Sequence, residues 1–184
     1  MHPWHDIPPR PENASDLFHV VIEVPMHGRV KYELDKPSDL LHVDRILFSS
    51  VIYPQNYDFI PRTYCEDHDP LDALVFSSEP FQSLALVRAR AIGLLRLDDQ
   101  SERDDKVIAI HADDPTYAGT TAMAELPAHL FRQIRAFFTD YKVLEGKPVV
   151  VEEFQDPAAA ERSLDRSIAL YRQHEKQLKA GVFP

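Results

Sequence analysis

Phe18-His-Val-Val-Ile-Glu-Val24 and Val30-Lys-Tyr-Glu-Leu34 decide how this chain folds, because their apolar residues fall on alternate positions. In the first stretch Phe18, Val20, Ile22 and Val24 share one face and Glu23 points to the other. In the second, Val30, Tyr32 and Leu34 lie on one side, Lys31 and Glu33 on the opposite side. Such alternation belongs to a half-buried strand, and its wet face offers a cation and a carboxylate to the same space. Further short strand candidates follow at 41–48, 73–77, 84–97, 107–111 and 149–154, separated by Pro, Asp and Ser clusters. Short strands with no helix between them imply antiparallel pairing, and closure is the economical way to hide their edges.

Two helices are expected to complete the chain. Pro127 can start the first, where Leu130, Ile134, Phe137, Phe138 and Tyr141 form an apolar stripe at helical spacing. Asp156-Pro157 is a cap and first-turn pair for the second, which runs to about Lys179. Its stripe of Leu164, Ile168, Tyr171 and Leu178 is narrower, so a more peripheral position is expected. The architecture read from this pattern is α+β: a small closed antiparallel β-barrel, OB-like with Greek-key connections, and two flanking helices. Residues 1–16, rich in proline and polar groups, read as an N-terminal arm, and 17–184 as a single domain.

With 184 residues the chain is long enough for one core. Thirty acidic against twenty basic residues give a formal charge of -10, which repels polyanions, so nucleic acid is not expected as a partner. Cys65 is the sole cysteine, so no intrachain disulfide can form. The opening residues lack a basic flank followed by an apolar stretch, and no apolar run approaches membrane-spanning length. A cytoplasmic protein without membrane partners is therefore expected.

The densest chemical signal is Asp67-His-Asp-Pro-Leu-Asp72, with three carboxylates just before an apolar strand. Like charges so close cost free energy unless cations neutralise them, and oxygen-rich clusters suit hard divalent ions. Taken alone, the stretch reads first as a solvated acidic loop. An EF-hand loop fails, because Asp72 stands where it needs glycine and Ser78 where it needs glutamate. A second acidic group, Leu97-Asp-Asp-Gln-Ser-Glu-Arg-Asp-Asp-Lys106, reads alone as a polar hairpin loop.

The ordered set says more. Glu23, Lys31-x-Glu33, Arg45, Tyr53-Pro-x-Asn-Tyr57, Asp67-x-Asp69-Pro-x-Asp72, Asp99, Asp104-x-Lys106 and Tyr141-Lys142 resemble, in order and spacing, the active-site series of family I soluble inorganic pyrophosphatases. The resemblance spans about 18–154. It implies Mg²⁺-dependent hydrolysis of inorganic pyrophosphate to two phosphates, with several ions per site and other divalent metals possible. It assigns metal binding to Asp67, Asp72, Asp99, Asp104 and Glu23, and the general base to Asp69. Lys31, Arg45, Tyr57, Lys106, Tyr141 and Lys142 are implied to grip substrate, with Glu33 and Tyr53 orienting them. A homo-oligomer is also implied, hexameric in bacterial members. The alternative is a non-catalytic, pyrophosphatase-like binding protein. Two positions depart from the family pattern: His68 and Asp58 stand where glycine is common.

Overall fold

In the computed structural model, residues 1–99 and 102–184 are described. Gln100 and Ser101 of the second acidic loop, and the side chains of Asp58 and Glu102, lie outside that description.

The elements run β1 (Phe18–Val24), β2 (Val30–Asp35), β3 (Leu40–Ile46), β4 (Asn56–Phe59), β5 (Asp72–Phe76), β6 (Leu86–Asp99), β7 (Glu102–Arg103), β8 (Lys106–His111), α1 (Ala128–Asp140), β9 (Val149–Gln155) and α2 (Pro157–Lys179). The pairings β1–β4, β4–β5, β5–β8, β8–β6 and β6–β1 return to their starting strand, so five strands form a closed ring. β7 and β9 add to β6, while β2 and β3 form a separate hairpin.

Two expectations need correction. The ring is not wholly antiparallel, because β5 and β8 pair in parallel. The physical reason lies in their composition. Ala73 and Val75 pack into one core cluster with Val107 and Ala109, whereas Leu74 and Phe76 pack into another with Ile108 and Ile110. Strands buried on both faces carry unbroken apolar runs, as parallel strands do. The second correction concerns α2, which is not peripheral. Its Ala159, Ala160, Leu164 and Ile168 join the cluster built on Phe18, Val20 and Ile22, the two alanines letting the helix lie close.

Helix α2 is capped by Asp156, whose carboxylate accepts from Ala159 N at 2.8 Å, with Pro157 in the first turn. Helix α1 follows Pro127 and buries Ile134, Phe137 and Phe138 against the second cluster. Residues 1–16 form neither strand nor helix, but Trp4 is buried, donating from Nε1 to Thr63 O at 2.8 Å.

Register places the chemistry. In the parallel pair Asp72 lies opposite Lys106, and in the antiparallel pair Leu95 also lies opposite Lys106. The start of β5, the start of β8 and the far end of β6 therefore share one end of the sheet. The two acidic loops, distant in sequence, meet there.

Candidate active site

At that end lies a cleft of about 400 Å³. Its acidic lining comprises Glu23, Asp67, Asp69, Asp72, Asp99 and Asp104, facing Lys31, Lys106 and Lys142 with Tyr57 and Tyr141. Glu33 and Tyr53 line it as well. Of the expected site residues, Arg45 alone is not on the lining. It sits on the hairpin, paired with Asp44 and with Glu145, the latter at 3.0 Å, and its Nη2 is buried without a hydrogen-bond partner. Trp4 and Lys36 line the cleft without having been singled out as site residues.

The centre is a buried ion cluster. Lys106 Nζ donates to both Asp72 and Asp104, and the Tyr57 hydroxyl also donates to Asp72. Burial works against the Lys106 ammonium, but Asp104 and Asp72 outweigh it and hold its pKa well above the ordinary range. Burial likewise opposes the Asp72 charge, yet Lys106 and Tyr57 bring its pKa below normal. Asp67 and Asp104 are less well compensated. Burial, with neighbouring carboxylates, pushes Asp67 up to about 7 and raises Asp104, despite the pull of Lys106.

At the rim Lys142 donates to Asp99 Oδ2, while Asp99 Oδ1 is buried with no hydrogen-bond partner. Lys31 pairs with Glu33, its alternate-position neighbour on β2, as the strand pattern places them. Glu23 accepts from Leu34 N at 2.6 Å, tying β1 to the hairpin. Tyr141 is pushed up by burial between Phe137 and Phe138.

The loop carrying Asp67 and Asp69 is held by hydrogen bonds within its own segment. Thr63 Oγ1 donates to Ile60 O and accepts from Leu71 N, Cys65 N donates to Asp69 O at 2.8 Å, and Asp69 N donates to Asp67 Oδ1 at 3.1 Å. His68 has φ of +67°, the left-handed region where glycine is least strained. Its Nδ1 lies 2.9 Å from the Tyr64 hydroxyl and 3.1 Å from Pro184 O, contacts a glycine would not make. The Asp58 side chain, the second departure, lies outside the described residues.

This donor set fits divalent cations. Buried carboxylates with raised pKa values and an unpartnered Asp99 oxygen have more negative charge than the lysines satisfy. Among the described residues, the trio of ligand-type side chains with atoms within 4.8 Å of one another is Glu33, His42 and Asp44, on the hairpin. In the cleft, Lys106 stands between Asp72 and Asp104 and donates to both.

Comparison with known proteins agrees with this chemistry. The family model described as inorganic pyrophosphatase matches residues 20–172. The soluble inorganic pyrophosphatase PPA1 of Solanum tuberosum is 52% identical over 173 residues, 94% of this chain and 82% of that protein. Soluble inorganic pyrophosphatase 2 of Chlamydomonas reinhardtii is 49% identical over 94% of this chain and 90% of its own length. Among solved structures, the inorganic pyrophosphatase of Thermus thermophilus superposes with a TM-score of 0.87 at 35% identity, covering 92% of this chain and 98% of that one. The chain belongs to the inorganic pyrophosphatase family and is an inorganic diphosphatase.

Proposed function

We propose that the cleft hydrolyses inorganic pyrophosphate with Mg²⁺, held by Asp67, Asp72 and Asp104 with further contacts from Asp99 and Glu23. The observation that carries this reading is Lys106 Nζ donating to Asp72 and Asp104 inside a cleft that also holds Asp67 and Asp99. Pyrophosphate is a polyanion, so a site this acidic takes it as a metal complex. The bound cations would neutralise the carboxylates and lower the pKa of the attacking water.

Asp69 is the general base in this reading. Its carboxylate lines the cleft and is 60% exposed, so it is open to a water entering the site. One of its oxygens takes the proton of that water as the phosphoanhydride bond breaks. Lys31, Lys106, Lys142, Tyr57 and Tyr141 grip phosphoryl oxygens and stabilise charge in a loose transition state. Arg45, off the lining but with a buried unpartnered Nη2, completes the grip once substrate arrives. Glu33 fixes Lys31 through their ion pair, and Tyr53 packs against Tyr57 with ring centroids 5.3 Å apart.

The ring is read as an OB-like, Greek-key barrel: taken in chain order, its strands close as first, second, third, fifth and fourth. Residues 17–184 form one domain in this reading, with 1–16 as an arm. Mn²⁺ or another divalent ion can replace Mg²⁺ in the same oxygen set. A homo-oligomer in the cytoplasm is the expected working form, and exposed Val43, Ile46 and Phe48 supply apolar surface for self-association. No helix among the described residues is long and apolar enough to cross a membrane.

Asp69→Asn tests the assignment through phosphate release. Turnover with Mg²⁺ should fall by roughly two to four orders of magnitude while Mg²⁺ binding persists. Turnover near the unsubstituted level would remove Asp69 from the base role.

A further inference from the structure

We infer that Lys36 is a positioning residue for the reaction, its ammonium held in an aromatic box by Trp4 and Phe183 so that it fixes the Asp69 carboxylate over the cleft. The inference rests on the reading of Asp69 as the base.

Lys36 directly follows β2 and lines the cleft beside Asp69. Its Nζ pairs with Asp69 Oδ1 and reaches His68 O at 3.3 Å, so it grips the loop by backbone as well as by charge. The same Nζ lies 4.7 Å from the centre of the Phe183 ring and 5.5 Å from that of Trp4, both within cation–π range. The two rings are nearly parallel, 6° between planes and 6.3 Å between centroids. Trp4 cannot drift, because it is 1% exposed and bonded through Nε1 to Thr63 O. His2 Nε2 meets Lys36 O at 3.2 Å, holding the lysine backbone from the same segment.

The arrangement solves a definite problem. Asp69 belongs to a loop, not to a strand, and its carboxylate is largely exposed, so burial does not hold it. A carboxylate that must meet one water cannot swing freely, since a displacement of about 1 Å can cost a hundredfold in rate. A lysine on a long flexible stem would not hold it either, unless the lysine were itself confined. Positions 4, 36, 69 and 183 supply the anchor, the cation, the base and the second wall.

The test uses the full chain. Lys36→Met should lower kcat for pyrophosphate by about tenfold to a hundredfold with KM nearly unchanged. Lys36→Arg, which keeps the cation, should recover most of that loss. Trp4→Ala should lower kcat in the same direction, and the Trp4→Ala/Lys36→Met pair should fall no further than Lys36→Met alone. In an Asp69→Asn background, Lys36→Met should have no added effect. Trp4 is the sole tryptophan, so its fluorescence in metal-free protein should change in Lys36→Met. A raised KM at unchanged kcat would make Lys36 a substrate contact and overturn the inference, as would unaltered fluorescence. If Asp69→Asn is inactive while Lys36→Met turns over normally, this inference fails alone. If Asp69→Asn is active, the base assignment fails and this inference with it.

Discussion

Lys142, just beyond the last turn of α1, donates a hydrogen bond to Asp99 at the end of β6, and this contact ties the end of the helix to the acidic rim. Both side chains are largely buried, at 16% and 15% exposure, and the second Asp99 oxygen already lacks a partner. Removing the lysine strands a buried carboxylate. Lys142→Met is expected to cost about 1–3 kcal/mol in metal-free protein, measured by urea unfolding with chelator present. Adding Asp99→Asn should recover part of that cost; strictly additive losses would mean that the two groups are not coupled.

Asp67 makes the opposite prediction. Burial, with Asp104 and Asp72 nearby, pushes its pKa up to about 7, so its charge is unwelcome in the metal-free fold at pH 8. Asp67→Asn should therefore raise metal-free stability, by about 1–2 kcal/mol. The same variant should lose much of the stabilisation that Mg²⁺ gives, which is about 2.7 kcal/mol at one hundred times Kd for a single site. Thermal melts with and without chelator separate the two effects. A variant less stable without metal, yet fully stabilised by it, would put Asp67 outside the cation site.

Much of this is legible in the sequence. The alternation at Val30–Leu34 predicts Lys31 and Glu33 side by side, and they are an ion pair. Asp156-Pro157 predicts the start of α2 to the residue. Strand β4 was not legible. Its four residues include Asn56 and Asp58, poor strand formers, and Pro54 and Pro61 flank them. Its strand character comes from pairing with β1 and β5, and Asn56 serves tertiary contacts by accepting from Met26 N and Phe81 N. The parallel β5–β8 pairing was hidden for a similar reason, since an apolar run does not state its direction. Lys36 closes the family-like stretch 31–36, yet nothing in the sequence assigns it or Trp4 a role in the site, because a lysine after a strand and a tryptophan among prolines carry no chemical signature. What distinguishes them is a meeting of segments far apart in sequence.

Gly93 offers a test of packing rather than charge. A Cβ built there would lie 2.4 Å from Met123 Cε and 2.8 Å from Gln155 O. The methionine can swing aside, but the carbonyl belongs to β9, which pairs with β6 along this stretch. Gly93→Ala is expected to destabilise by about 1–3 kcal/mol. A matched Met123→Ala should relieve little of it, because the backbone contact remains. Full rescue by Met123→Ala, read from urea midpoints, would show that the side chain was the obstacle.

His5 sets an acid limit on stability. It is 6% exposed, and its Nδ1 lies 2.8 Å from the Tyr171 hydroxyl. Burial lowers its pKa from 6.5 to about 4, helped by nearby His2 and Lys179 and opposed by Asp6 and Asp39. The folded state thus keeps His5 neutral where the unfolded chain would protonate it. The resulting stability is fully present above about pH 6.5 and is lost as pH falls toward 4, an amount on the order of 2 kcal/mol. His5→Gln, which cannot titrate but can still bond Tyr171, should flatten the fall of the urea midpoint between pH 7 and pH 4.5. The carboxylates titrating over that range are common to both proteins, so the difference between the two curves belongs to His5. Parallel curves would mean that the imidazole accepts its proton without disturbing the fold.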